Sequence, residues 1–419
     1  MNAERTRRFG APRALAALAV GAVLAAPLAL AGCWDHQEIE NLAFVLAVGL
    51  DRDPATGLIQ VTAQVAKPSA VATAGFTGAA ASLERPTWLV TAAGRTTFEA
   101  VRNLARQSPR RIYWAHNSWI IFGEEAAREG VAPYLDYFTR QGQCRRLSNV
   151  LVVEGDTASS FLQLEFELTK QPSAAGLGLL KNVMVSKSTY IPSTVNDFLV
   201  ALDSEGADPV MGRVQTIVKA EPELPPGQVL RTDVPKSPAG VGGAAFKGDR
   251  LAGWLSETQA RGLLWTWGKV EGGSLVVQLP GGEGGLVGLQ ILGEDAEVSP
   301  SLEDGRVVMT VKIVTDADIA DLGPNVPPYD ARSRRELVTA TEERMAQAVR
   351  EEVLAALARA RELRADIFGF GAVIHARLPA QWRKLKDRWD EEFPNLEVRV
   401  EVKARVRHTG RAVAGIEPR

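Results

Sequence analysis

Leu396-Glu397-Val398-Arg399-Val400-Glu401-Val402-Lys403-Ala404-Arg405-Val406-Arg407 alternates apolar and charged residues without a break. Successive strand side chains point to opposite faces. The stretch is therefore a long strand with one buried and one wet face, as antiparallel sheets show. Upstream, Val307, Met309, Val311 and Ile313 alternate with Val308, Thr310 and Lys312, a second strand with at least one packed face. Between the two, Arg332–Arg364 places Met345, Val349, Val353, Leu357, Ala360 and Leu363 at steps of four or three. That spacing predicts one amphipathic helix, on the order of 45 Å long at ~1.5 Å per residue. An antiparallel sheet packed on one long helix follows for the C-terminal part.

The N-terminal half mixes α and β. Ile39–Leu50 is a buried strand that runs into a turn, and Leu58–Ala66 pairs with it as a hairpin. Asp51-x-Asp53 lacks the glycine and later carboxylates of a calcium loop, so it belongs to the turn. Strands are expected at Thr87–Ala93, Trp119–Phe122 and Val150–Val153, and helices at Thr97–Gln107, Glu124–Thr139, Ala158–Leu168 and Asn196–Leu202. Lys67–Pro86, rich in Ala, Gly, Ser and Thr, is expected to be a mobile loop. Glu221–Pro238 holds five prolines and is either a linker or an extended excursion. Gly242–Val270 resumes order with Trp254, Trp265 and Trp267. Ser274–Val298 is strand-rich and broken by Gly281-Gly282-Glu283-Gly284-Gly285, which lacks the Lys-Ser/Thr of a phosphate loop and is expected to be a hairpin turn.

The N-terminus has a tripartite layout. Arg5, Arg7, Arg8 and Arg13 precede an apolar run, Ala14–Ala31, which closes on Leu30-Ala31-Gly32-Cys33. This is the pattern of a secretory signal, and the tetrapeptide is a lipobox. Cleavage after Gly32 would leave Cys33 first, carrying S-diacylglycerol and an N-acyl chain. The run just reaches the lower length of a membrane span, but Pro27 and the small residues favour cleavage. Arg7-Arg8 lacks the rest of a twin-arginine signal, so ordinary export is expected.

Composition narrows the function further. The chain has 419 residues, long enough for two or three domains. A formal charge of −2 leaves no basic excess to attract nucleic acid, and the sequence has no polybasic patch to help a lipid anchor. With only two cysteines, acylating Cys33 leaves Cys144 a lone thiol. Its arginine neighbours would lower its pKa, but a small semi-buried residue is the favoured role.

No catalytic constellation is visible. His36, His116, His375 and His408 have no metal-ligand spacing and no cysteine pair to join. There is no Gly-x-Ser-x-Gly elbow. Gly369-Phe370-Gly371 is too short for a nucleotide fingerprint and is expected to end the long helix. His116, between Trp114 and Trp119, either lines a small pocket or belongs to a packed aromatic cluster, the second being favoured. The reading is of a non-enzyme without catalytic residues, cofactor or metal.

Several blocks resemble the Ger(x)C family, the lipoprotein C subunits of spore germinant receptors. They are Gly32-Cys33-Trp34-Asp35-His36-Gln37-Glu38-Ile39 with Gly49-Leu50-Asp51, and His116 with Gly123–Gly130. Gly243-Ala244-Ala245-Phe246-Lys247, Leu251–Leu255 and Gly262–Trp265 follow. The strongest is Ala365-Asp366-Ile367-Phe368-Gly369-Phe370-Gly371, then His375, Pro379, Trp382, Trp389, Phe393 and Pro394. Gln141 stands where an acidic residue is expected, and the loops at 67–86 and 221–238 look expanded. The resemblance implies an α+β chain of three mixed domains: signal peptide 1–32, N-terminal domain 33–218, proline-rich excursion and central domain 219–285, and C-terminal domain 286–419. It implies a protein on the outer face of the spore inner membrane, working with membrane A and B subunits to sense nutrients, without enzymatic activity. A solute-binding lipoprotein that captures a small nutrient itself is the alternative, and direct ligand binding stays open.

Overall fold

The computed structural model describes residues 38–67, 86–164, 172–218, 236–280, 285–323 and 333–409, with single positions besides. The lipobox with Cys33, His36, residues 68–85, residues 219–235 and residues 281–284 lie outside the described residues. The chain divides into two units, Met1–Leu42 and Ala43–Arg419. In the first, the described part is a 3-10 turn, Ile39–Asn41, in which the Asn41 N–H donates to the Glu38 carbonyl at 3.0 Å.

The expected hairpin forms from Leu42 onward. β1 (Leu42–Arg52) pairs antiparallel with β2 (Ile59–Ala66), and β2 with β3 (Thr87–Gly94). α1 (Thr97–Ala105) follows, with the Thr96 hydroxyl accepting the Glu99 N–H, a cap that satisfies an orphan donor. β4 (Arg111–Tyr113) pairs with β1, and β5 (Trp119–Phe122) lies parallel to it. The chain then crosses over through α2 (Glu124–Glu129) and α3 (Ala132–Arg140) to β6 (Asn149–Val153), parallel to β5. α4 (Ala158–Leu162), α5 (Pro172–Ser186) and α6 (Val195–Asp203) lead to β7 (Val210–Val218), parallel to β6. β8 (Lys236–Lys247) and β9 (Arg250–Leu255) complete the sheet antiparallel. Among the described residues its order is β3-β2-β1-β5-β6-β7-β8-β9, with β4 beside β1.

Both faces of this sheet are covered, so its central strands are mostly apolar, with Asp51, Thr62 and Gln64 buried among them. Val48, Leu50, Ile120, Phe122, Val150 and Val152 pack against α1, α3 and α6. Ala47, Trp119, Ile121, Leu151 and Val153 face Ala158, Leu162 and Leu180 on the other side.

The helix expected over Glu124–Thr139 is instead two. Gly130 adopts φ 127°, a conformation that favours glycine. The freed Val131 and Ala132 N–H groups donate to the Asp249 carbonyl and carboxylate in the β8–β9 turn, and Pro133 starts the second helix. The helix expected over Ala158–Leu168 ends at Leu162, where the Gln163 N–H donates to the Ser160 carbonyl at 3.0 Å; residues 165–168 lie outside the described residues.

α7 (Glu257–Trp267) leads to the second sheet, ordered β10 (Ser274–Gln278), β11 (Leu286–Glu303), β12 (Arg306–Leu322), β13 (Glu397–Val406). β10 and β11 pair antiparallel across the glycine cluster, Gln278 opposite Leu286. α8 (Ser333–Leu363) is the long helix, burying Met345, Val349, Val353, Leu357 and Ala360. α9 (Phe370–Arg377), α10 (Pro379–Leu385) and α11 (Trp389–Glu392) follow.

One expectation about this sheet is corrected. β13 lies parallel to β12, Val311 opposite Val400, while the other two pairs are antiparallel. The long helix is the crossover that returns the chain to the same end of the sheet, and such a connection yields a parallel pair. The expected faces are present: Glu397, Arg399, Glu401, Lys403 and Arg405 are exposed, and the alternate residues are partly or fully buried. Gly369 also does not end the long helix. Arg364, at φ 51°, stands just past it, and Gly369, at φ 72°, is the N-cap of α9.

Candidate functional site

The block at Ala365–Gly371 forms a buried polar joint. The Asp366 carboxylate is buried and accepts N–H donors from Phe370 at 3.1 Å, Gly371 at 2.8 Å and the Trp389 indole at 3.2 Å. Its own N–H donates to Asp208 Oδ2 at 2.8 Å, and the Asp208 N–H donates back to the Asp366 carbonyl at 2.9 Å. Lys247 Nζ, at the end of β8, donates to Asp208 Oδ2 at 3.0 Å and to Asp390 Oδ1 at 2.6 Å. Segments before β7, at the end of β8, before α9 and on α11 thus meet at two carboxylates.

Burial pushes the Asp366 carboxyl up to about 7, with the nearby Asp208 charge adding to the rise and the N–H donors opposing it. For Lys247 burial works against the charged form, but the bonds to Asp390 and Asp208 outweigh it and the ammonium is held above its usual range. The backbones are close enough that side chains are excluded. A Cβ on Gly371 would lie 2.6 Å from Gly206 Cα, and the Ala372 N–H donates to the Gly206 carbonyl at 3.0 Å.

Beside the joint lies a cleft of about 460 Å³ between α6, the end of α7 and the Ile367–Gly369 turn. Ser193, Asn196, Trp267, Lys269 and Phe368 line it. Ser193 Oγ is buried there without a hydrogen-bond partner among the described residues. The Lys269 ammonium lies 5.4 Å from the centre of the Trp267 ring. Asp197 and Asp208 also border the cleft, but Thr194 engages the first and Lys247 the second.

A second buried carboxylate ties α7 to α8. Glu352 accepts Arg261 Nε at 2.9 Å and the Trp265 indole N–H at 2.8 Å, and the other guanidinium nitrogen pairs with its second oxygen. A third, Asp51, accepts the Ala158 and Ser159 N–H groups at 2.7 and 2.9 Å and so holds the start of α4. Burial raises its pKa, and those bonds pull it back.

The residues singled out from sequence are dispersed. His116 packs edge-on to Phe44 at 5.1 Å and lies 6.0 Å from Tyr113. Trp114 belongs to one face of the large sheet and Trp119 to the other, so the three line no common pocket. His375 stacks on Trp382, and His408 meets Asp318 at 3.0 Å. The Cys144 thiol is half-buried, and burial pushes it up to about 12, not down. Among the described residues no group of three or more His, Cys, Asp or Glu could hold a metal ion. Asp208, Arg261 and Glu352 escaped sequence reading. Arg261 and Trp265, four apart on one helix, were the available signal for a buried acceptor between them.

The model described as the spore germination protein N-terminal domain matches residues 35–216. The one described as spore germination B3/GerAC-like, C-terminal, matches residues 241–410. The chain is similar to spore germination protein KC of Bacillus subtilis (strain 168), 25% identical over 392 residues, 93% of this chain and 94% of that one. It is also similar to spore germination protein B3 of the same organism, 23% identical over 387 residues, 91% and 95% of the two chains. The crystal structure of the GerBC protein shares the fold with a TM-score of 0.52 at 16% identity, covering 88% of this chain and all of that one.

Proposed function

Because the chain belongs to the Ger(x)C family of spore germination proteins, we propose that it is the non-catalytic, lipid-anchored C subunit of a nutrient germinant receptor. It acts with membrane A and B subunits on the outer face of the spore inner membrane. The observation that carries this reading is positional. The first family match begins at residue 35, two residues after the lipobox cysteine, and the second runs to residue 410. Acylation of Cys33 supplies about 0.8 kcal/mol per buried methylene, and two or three chains hold a protein where one does not. Confinement to the membrane raises the effective concentration of its partner subunits.

Spores carrying Cys33→Ala test the anchor. The protein is expected to leave the membrane fraction, and nutrient germination to slow. Retention of the variant at the membrane overturns the anchoring. The cleft with the unpartnered Ser193 hydroxyl favours a second reading, direct capture of a nutrient. Calorimetry of the full chain with candidate nutrients decides it, since tight one-to-one binding would replace the first reading with the second.

A further inference from the structure

The fold gathers at one end of the large sheet a set of cations that are scattered in sequence. β1 runs antiparallel to β2 and parallel to β5 and β6, so the starts of β1, β5 and β6 share one end. The loop before β4, the first residue of β4 and the loop before β6 sit there, and they carry Arg106, Arg110, Arg111, Arg145 and Arg146. All five arginines are exposed, and none has a carboxylate partner among the described residues. Leu147, beside them, is 77% exposed. A groove of about 360 Å³ at this end is lined by Ala43, Trp88 and Arg110.

Asp136 pairs with Arg140 and Asp197 accepts the Thr194 hydroxyl, while Glu38 and Glu40, just before β1 in sequence, pair with no cation among the described residues. The opposite end of the same strands carries Asp53, Glu124, Glu125, Glu129, Glu154 and Asp156. Arginines there are paired, Arg52 with Glu129, Arg128 with Glu124 and Arg213 with Glu154. The sheet is thus polarised along its strands.

We infer that the five-arginine end is a docking face for an anionic lipid surface. This rests on the reading that Cys33 is acylated. Ala43 lies ten residues beyond Cys33, and an extended chain spans at most about 3.5 Å per residue, so the bilayer lies within roughly 35 Å of the start of β1. Unpaired guanidiniums feel an anionic leaflet over about one Debye length, ~8–10 Å at physiological salt. Their planar forks match phosphate oxygens, and an exposed leucine and a rim tryptophan suit the headgroup boundary. The face lowers the freedom of the tethered domain and points the acidic end of the sheet away from the membrane.

The test uses the full acylated chain reconstituted into vesicles of phosphatidylcholine, with or without phosphatidylglycerol. Hydrogen exchange is read over residues 106–113 and 143–149. Exchange there is expected to slow severalfold with phosphatidylglycerol and to return at high salt. A charge-reversed variant, Arg110→Glu with Arg111→Glu, Arg145→Glu and Arg146→Glu, loses the difference while α8 keeps its exchange pattern. A chain that floats with both vesicles but exchanges equally in them overturns the docking face alone. A chain that floats with neither overturns the anchor and the face with it. Slowing that needs co-reconstituted membrane subunits and ignores lipid charge also overturns it, in favour of a protein partner.

Discussion

Two joints fasten the C-terminal helices to the rest of the protein, and each is built on a buried carboxylate and a glycine. Between α7 and α8, Glu352 meets the Arg261 guanidinium, and a Cβ on Gly262 would lie 2.0 Å from the Glu352 carbonyl oxygen. Before α9, Asp366 meets N–H donors that carry no formal charge, and Gly371 lies against Gly206. The first joint cancels charge with charge. The second leaves a carboxyl among neutral donors with another carboxylate close by, so burial keeps its proton to near neutrality. A fold can thus fix one contact by pairing a buried carboxylate with a cation and another by surrounding it with neutral donors.

The largest effect is expected at the charged joint. Glu352→Ala leaves the Trp265 indole N–H and two Arg261 guanidinium nitrogens without their acceptor, while the third keeps the Ser274 carbonyl at 3.0 Å, at a cost of about 3–5 kcal/mol, because the charge loses its counterion and stays largely desolvated. Replacing both partners with apolar residues, Arg261→Met with Glu352→Leu, is expected to cost less than the single change. Thermal unfolding of the three variants checks this. A double variant worse than Glu352→Ala would show that geometry, not charge compensation, dominates the joint.

Asp366→Ala comes next, at about 1–3 kcal/mol, the scale of orphaned buried donors. Its pH profile separates the joints. The folded pKa of Asp366 is raised above its ordinary 3.8 to about 7. The folded state therefore holds a proton that the unfolded chain releases, and this group's contribution to stability falls as pH rises from about 4 to about 7. Asp366→Ala removes that slope, so its cost is expected to be greatest near pH 4–5 and to shrink toward pH 7. Urea unfolding at several pH values reads it, and a cost that grows with pH breaks the contrast.

Sequence disclosed these regions unequally. The alternation at 396–407 gave β13 its faces, because a buried side and a wet side impose period two. It did not give its direction, because that depends on the helix that carries the chain back. The Asp366 block was visible through resemblance, but its role was not: Asp208 lies 158 residues upstream and Trp389 23 downstream. The break in the helix at Gly130 needed Asp249, brought over by the β8–β9 turn. The arginine face was invisible for the same reason, since no short window holds all five cations. Local periodicity was legible and long-range polar assembly was not.

Glu294 sharpens the comparison with a carboxyl that no cation and few donors compensate. One of its oxygens accepts the Val270 N–H at 2.7 Å and the other has no partner among the described residues. Burial pushes it up to about 8, with the Val270 and Lys269 N–H groups opposing. At neutral pH it is therefore protonated, and glutamine copies its shape and its acceptor oxygen. Like Asp366, the wild-type group loses stability as pH rises, here between about pH 4.5 and pH 8, and glutamine does not. Glu294→Gln is expected to be near neutral at pH 5 and stabilising, on the order of 1 kcal/mol, at pH 8, with the partial exposure of the site discounting the full shift. Unfolding midpoints at the two pH values measure it. A variant less stable than wild type at pH 8 would mean that the carboxylate is ionised and used.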